Sequence, residues 1–151
     1  MGYEIQVVDI EPTVIAAVTK HVRPADISKE IMPLFDAVWG FLRGGSSPVR
    51  PAGHNVAIYR PSGGEMDLEA GVQVSGRFED AGQVRCSETP GGRAAWTIHM
   101  GDYSKLWQAF EAVQQHCRDQ GLAVTGVGWE VYGDWHDDPT KVRTDVYLQL
   151  A

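Results

Sequence analysis

Two stretches of the chain place apolar side chains three and four residues apart, which is the spacing of an amphipathic helix. They cover residues 26–42 and 102–120. Asp26 lies at the start of the first stretch, and Asp102 and Ser104 lie at the start of the second; these residue types can cap the N-terminus of a helix. We therefore predict two helices, each buried along one face.

Runs rich in β-branched and aromatic residues flank both stretches and are typical of strands. One run precedes each helix, and two follow it. The six runs cover residues 12–22, 54–60, 67–74, 90–100, 122–132 and 142–150. The order strand, helix, strand, strand therefore occurs twice.

The two runs that precede the helices also match each other in sequence. Residues 12–22 and 90–100 carry the same residue at five of eleven positions, and His21 aligns with His99. At this offset we expect the two histidines to share a packing or hydrogen-bonding role.

This order of elements predicts an α+β fold made of two repeats, about residues 1–76 and 77–151, within one domain that spans residues 1–151. Two strand-helix-strand-strand units would form an antiparallel sheet, with two main helices packed on it and a groove between the repeats.

Composition and charge limit the class of protein and its partners. The chain has 151 residues, 43% of them hydrophobic and 22% charged, which is ordinary for a globular domain. Its net charge of −7 and its scattered Lys and Arg residues argue against nucleic acid as a partner, because phosphate binding needs clustered cations. Neither a long apolar run nor a secretory signal is recognisable, so we expect a cytoplasmic protein without membrane contact.

Cysteine and histidine usage gives little support for a metal or a cofactor. Cys86 and Cys117 lack the spacing of metal ligands, and two free thiols are favoured over a disulfide. His136 and Asp138 lie in a turn bounded by Gly and Pro, where Asp normally bonds the local backbone. We therefore expect neither a metal nor a cofactor.

Three short motifs follow one another along the chain: Asp-Leu-Glu-Ala-Gly-Val at 67–72, His-Met-Gly-Asp-Tyr at 99–103 and Trp-Glu-Val-Tyr at 129–132. Together with the duplicated unit, they resemble the GyrI-like small-molecule-binding family over essentially the whole chain. That family includes the effector-binding domains of multidrug-sensing MerR-type and AraC-type transcription regulators. The resemblance implies ligands that are bulky, aromatic and often cationic.

No helix-turn-helix or coiled-coil segment precedes the first strand, so the resemblance implies a stand-alone binder of small molecules rather than a transcription factor. Some stand-alone members of the family resemble hydrolases that open cyclopropane-bearing natural products, and others are described as affecting DNA gyrase. A hydrolase of such electrophilic compounds and a protein-binding, gyrase-inhibitor-like module therefore stay open as alternatives. The oligomeric state cannot be predicted from these residues.

The resemblance places the characteristic acidic residue of the family at Glu130, and an acidic and an aromatic residue on the last strand at Asp145 and Tyr147. A carboxylate inside an aromatic-lined strand costs several kcal/mol unless it is compensated. From strand alternation alone, Glu130 could instead face solvent, and Asp145 and Tyr147 fall opposite the apolar face of their own strand.

Aromatic residues form the expected walls of the site. Phe35 and Trp39 lie four apart on the first helix, and Tyr103 and Trp107 lie four apart at the second, so each pair shares a helix face. The two tryptophans are expected in equivalent places, and Tyr59 ends the strand after the first helix. The alternative for these rings is ordinary core packing.

For the hydrolase alternative, Glu130 is the candidate general acid or base, and Tyr103 is a candidate hydrogen-bond donor to the substrate. Asp67 and Glu69 are expected on a solvent-exposed face, or Glu69 could face the groove as the mate of Asp145.

Overall fold

The computed structural model describes residues 2–45 and 47–151, and these fold into strands and two helices of an α+β protein. The strands in chain order are β1 (Gln6–Ile10), β2 (Val14–Val22), β3 (Pro51–Ser62), β4 (Glu65–Val74), β5 (Arg85–Glu88), β6 (Gly92–Met100), β7 (Val124–Tyr132) and β8 (Arg143–Leu150). The helices are α1 (Ile27–Arg43) and α2 (Leu106–Asp119). All strand pairings described below are antiparallel, as the sequence predicts.

The chain forms two compact units. The first unit is residues 12–89, in which the strands lie in the order β3, β4, β2, β5. The second unit is residues 90–151 together with the chain up to Glu11, and its strands lie in the order β1, β6, β8, β7. These bounds differ from the predicted repeats, because β1 pairs with β6 and β5 pairs with β2.

In the first unit, α1 packs on β2 and β4. Its apolar stripe is buried, through Leu34, Phe35, Val38 and Leu42. Asp26 occupies the N-cap position of α1, as predicted, but its carboxylate makes no capping hydrogen bond and accepts one from Arg23 Nε at 2.9 Å instead. A short 3-10 turn, Pro24–Asp26, precedes the helix, and α1 begins at Ile27, directly after the predicted cap.

In the second unit, α2 packs on β6 and β8. Val113 and Cys117 of α2 pack with Ala95, Leu148 and Leu150, and nearer the start of the helix Leu106 and Ala109 pack with Val146. A 3-10 turn, Tyr103–Lys105, leads into α2, so the regular helix begins later than the sequence pattern suggests.

The two units show that the alignment of His21 with His99 is wrong by one residue. Ile15 pairs with Gln73 in the first unit, and Ala94 pairs with Gln149 in the second. If the two glutamines correspond, Ala94 corresponds to Ile15 rather than to Ala16. A shift of one residue moves every side chain of a strand to the other face of its sheet.

The two histidines accordingly lie in different environments. His21 is paired with Asp67 on the face away from α1, whereas His99 is paired with Thr144 on the face that α2 covers. The shared role predicted for them is therefore wrong.

No helix within the described residues has both the length and the apolar character to cross a membrane.

Candidate functional site

Glu130 is buried, with only 4% of its surface exposed, so the alternative in which its carboxylate faces solvent does not hold. It lies on β7 directly opposite Val146 of β8. Directly paired residues project from the same face of a sheet, and Val146 packs against Leu106 and Ala109 of α2. The carboxylate therefore lies on the helix-covered side of the second unit.

The Tyr132 hydroxyl donates a hydrogen bond to Glu130 Oε1 at 2.5 Å. Residues two apart on a strand share a face, so the alternation of β7 brings this phenol to the carboxylate. Tyr103 packs edge-on against Tyr132, with ring centroids 5.6 Å apart and an interplanar angle of 82°. We call these three residues the Glu130 cluster.

One side of the cluster reaches the surface. Tyr103 is 43% exposed, yet partial burial raises the pKa of its phenol. Four residues further on, in the first turn of α2, Trp107 is 60% exposed. The second unit thus combines a buried carboxylate with exposed aromatic surface, and both are connected through the Tyr132 ring.

Asp145 and Tyr147 do not join this cluster. Tyr147 is paired with Trp129 and Trp96 on the face away from α2. Its ring stacks on Trp129 at 4.8 Å and 7°, and lies 6.5 Å and 21° from Trp96. Desolvation, with a smaller contribution from the charge of Asp145, raises the pKa of Tyr147 to about 12.

The charge of Asp145 is compensated within the chain. Its carboxylate accepts hydrogen bonds from Arg143 Nε at 2.7 Å and Nη2 at 3.1 Å, and from Trp96 Nε1 at 3.1 Å. A ligand cation would have to displace Arg143 to reach it. Of the two acidic residues predicted for the site, only Glu130 lies on the helix side.

The first unit holds the remaining predicted aromatics. Phe35 is a buried residue of α1, and Tyr59 lies on the α1-facing side of β3. The indole N–H of Trp39 donates to Asn55 Oδ1 at 3.2 Å, and the Arg43 guanidinium lies 4.9 Å from the centre of its ring. One face of Trp39 therefore already has a cation over it.

Trp39 and Trp107 do not occupy equivalent places, so that prediction is wrong. Trp39 lies in the last two turns of α1 and is half-buried, whereas Trp107 opens α2 and is mostly exposed. The spacing of aromatic residues along one helix shows which of them share a face. It does not show whether aromatic residues of two helices lie at the same distance from the start of each helix.

Glu69 is also placed differently from the prediction. It is buried on the face away from α1, where Arg60 Nη1 donates to its Oε1 at 2.6 Å. Asp67 of the same strand is partly exposed, and its carboxylate lies 2.7 Å from His21 Nδ1. Glu69 is therefore part of a buried ion pair rather than of a solvated face.

The turn around residues 136–138 shows local bonding. The Asp138 carboxylate accepts hydrogen bonds from the backbone N–H and the hydroxyl of Thr140, and these bonds lower the pKa of Asp138. Among residues 2–45 and 47–151, no group of three His, Cys, Asp or Glu side chains is placed to hold a metal ion. Cys86 is partly buried and Cys117 is buried, and both are free thiols.

Two residues near Glu130 were not predicted as site residues. Tyr132 carries an alternation signal, because it lies two residues after Glu130 on one strand. Thr144 lies directly opposite Tyr132 on β8 and is fully buried, but in the sequence it reads as one more β-branched strand residue. Only the strand register shows that it neighbours the cluster.

No protein-family model and no curated protein sequence matches this chain. Solved structures share its fold. The EcmrR C-terminal domain is 21% identical, aligns over 100% of this chain and 99% of its own, and gives a TM-score of 0.76. In the cryo-EM structure of the EcmrR-DNA complex, the chain spans 57% of the length of EcmrR.

Two more distant structures carry informative descriptions. SAV2435, solved bound to tetraphenylphosphonium, is 12% identical over 100% of this chain and 94% of its own, with a TM-score of 0.65. A hydrolase from Listeria innocua is 12% identical over 99% and 93%, with a TM-score of 0.61. At these identities the likenesses show the fold alone, and they are consistent with a GyrI-like fold.

Proposed function

We propose that this protein binds bulky aromatic cations, with Glu130 as the charged anchor. The observation that carries the proposal is the buried carboxylate held by the Tyr132 hydroxyl, beside the partly exposed ring of Tyr103. A carboxylate attracts a cation strongly where water is scarce, and ring faces and edges pack against the flat body of the ligand. Trp107 extends the aromatic surface at the solvent side.

The fold likeness supports the same class of ligand. Tetraphenylphosphonium is a bulky aromatic cation, and it is bound to SAV2435. The net charge of −7 also favours cations over anions through the long-range field, although cellular salt screens this effect.

The test compares tetraphenylphosphonium with neutral triphenylphosphine oxide, both titrated by tryptophan fluorescence or calorimetry. We expect Glu130→Gln to weaken binding of the cation about tenfold or more, since a charged anchor is worth roughly 1.5–3 kcal/mol, and to change the neutral compound little. An affinity ratio equal to that of the wild type would reject Glu130 as the anchor.

Asp145→Asn is the matched control, because it removes the same charge on the other face of the same unit. Its carboxylate is already bonded by Arg143 and Trp96, so we expect a change in cation affinity of less than about twofold. Equal losses in both variants would assign the effect to overall charge. Thermal melts of both variants show whether each remains folded.

A hydrolase is the second candidate, and the Glu130–Tyr132 pair is the observation that favours it. A carboxyl group 2.5 Å from a phenol can exchange a proton with a bound substrate or activate water. Incubation with cyclopropane-bearing or other electrophilic aromatics should then give a product that Glu130→Ala abolishes. If the substrate is recovered intact at protein concentrations usual for an enzyme assay, binding remains as the function.

A further inference from the structure

The Thr144 hydroxyl is a buried polar group beside the Glu130 cluster. Thr144 is 0% exposed. Among the buried side-chain nitrogen and oxygen atoms of the described residues, Thr144 Oγ1 is the one without a hydrogen-bond partner. A buried hydroxyl without a partner costs free energy, so such a group calls for an explanation.

The strand register gives the neighbours of this hydroxyl. Thr144 is paired with Tyr132 on one side and with His99 on the other, so all three project toward α2. Glu130 is paired with Val146, two residues after Thr144, so it lies diagonally across from Thr144. Residues in such diagonal positions are about 7–8 Å apart. An atom with hydrogen atoms to donate could therefore reach the carboxylate and the hydroxyl together.

The neighbouring histidine does not use the hydroxyl. His99 Nδ1 lies 2.8 Å from the Tyr3 hydroxyl, and His99 Nε2 lies 2.9 Å from the carbonyl oxygen of Asp102. Both ring nitrogens are thereby engaged. The Thr144 oxygen is left available as an acceptor on the side of Tyr132 and Glu130.

The first unit shows that the fold does not require a hydroxyl at this place. There the corresponding row across three strands is Tyr59, Leu68 and Lys20. Leu68 takes the position of Thr144 and is likewise 0% exposed. An apolar side chain thus fills the same position in the same arrangement of strands.

We infer that Thr144 is a specificity-determining residue of the Glu130 site, and that it selects cations which carry an N–H. This inference rests on the proposed function. A protonated amine donates one hydrogen bond to the Glu130 carboxylate and a second to Thr144 Oγ1. A quaternary ammonium or phosphonium ion has the same charge but nothing to donate, so it uses Glu130 and the rings alone. Tyr103, whose ring is 43% exposed, lies at the side of the cluster that reaches the surface, and we place the approach of the ammonium group there.

The experiment uses two probes that differ only at nitrogen, 2-naphthylmethylammonium and (2-naphthylmethyl)trimethylammonium, titrated calorimetrically near pH 7. Thr144→Val keeps the shape of the side chain and removes the hydroxyl. We expect it to weaken the primary ammonium about tenfold, because a hydrogen bond to a charged group is lost, and to change the trimethylammonium less than twofold. We also expect its melting temperature to rise, since the unpartnered hydroxyl is gone.

Thr97→Val is the matched control. Thr97 is equally buried on the same face of the second unit, but its hydroxyl donates to the Glu4 carbonyl at 2.8 Å. We expect this variant to melt at a lower temperature and to keep the wild-type ratio of the two affinities.

Two outcomes overturn the inference, and they are distinguishable. If the trimethylammonium binds and Thr144→Val leaves the ratio of affinities unchanged, the Thr144 assignment falls while the proposed function stands. If neither probe nor tetraphenylphosphonium binds the wild-type protein, the proposed function falls, and the Thr144 inference falls with it.

Discussion

Each unit packs one helix on strands that follow the same order, but the two units fill corresponding positions with side chains of very different size. On the face away from the helix, the second unit has the row Trp96, Tyr147 and Trp129 across three strands. The corresponding row in the first unit is Ala17, Gly71 and Val56. One row is a stack of aromatic rings, and the other is made of small side chains.

Packing explains why the two rows cannot be exchanged. A Cβ atom added to Gly71 would lie 2.8 Å from Ile15 Cδ1 and 3.3 Å from Ala17 Cβ, so even a methyl group fits there only if the Ile15 side chain shifts. In the second unit, Trp129 is 1% exposed and its ring lies parallel to Tyr147. A shared backbone plan therefore leaves the volume of each layer to be set by the side chains.

The comparison on the helix side points to function rather than to packing. Glu130 lies opposite Val146, whereas Ala57 lies opposite Ala70 at the corresponding place in the first unit. Both alanines are fully buried. A buried carboxylate is thus present at this place in one of two similar frameworks, which is consistent with the anchor role proposed for Glu130.

The largest expected effect comes from replacing Trp129 of the second unit with valine, the residue type at the corresponding position of the first unit. Trp129→Val should lower the free energy of unfolding by about 3 kcal/mol or more, because it removes a buried ring and its stacking partner for Tyr147. Chemical denaturation monitored by circular dichroism measures the loss. Trp135→Val is the control, since Trp135 is largely exposed and should change stability by less than about 0.5 kcal/mol. A loss below about 1 kcal/mol at Trp129 would show that the stack contributes little.

A smaller effect should distinguish the two ion pairs on this face. Arg60→Met leaves the Glu69 carboxylate, with a side chain 7% exposed, without its cation, and should cost about 2 kcal/mol. Arg143→Met should cost less than about 1 kcal/mol, because Asp145 is more exposed and keeps the Trp96 N–H. Denaturation midpoints of the two variants make the comparison. Equal losses would show that burial does not separate the pairs.

The sequence predicts the element order well because long periodic patterns determine it. The apolar stripe that ends in Leu42 and the alternation of β8 both identify their elements, and the structure confirms them. Short or polar strands are harder to predict from sequence. Because β1 and β5 carry no comparable pattern, the sequence does not indicate them.

The site is only partly predictable for a related reason. Alternation along one strand relates Glu130 to Tyr132, but it carries no information about the register between strands. The placement of Thr144 beside them, and of Asp145 on the other face, follows from the pairing of β7 with β8. The pairing of Glu69 with Arg60 likewise spans two strands, and nothing in either segment alone indicates it.

The smallest expected effect concerns the histidine that the sequence wrongly aligned with His99. His21 is half-exposed, with Nδ1 2.7 Å from Asp67 and Nε2 2.8 Å from Glu65, and the hydrogen bond that its ring donates to the Asp67 carboxylate is the main cause that raises the pKa of His21. A raised pKa means that the folded state favours the charged ring, so the stabilisation is complete below the unfolded-state pKa of about 6.5 and is lost as pH rises through the folded-state value. The melting temperature of the wild type minus that of His21→Asn should therefore be largest near pH 5.5 and should shrink by pH 9. A difference that stays constant, or grows with pH, would show that the two carboxylates do not hold His21 in its charged form.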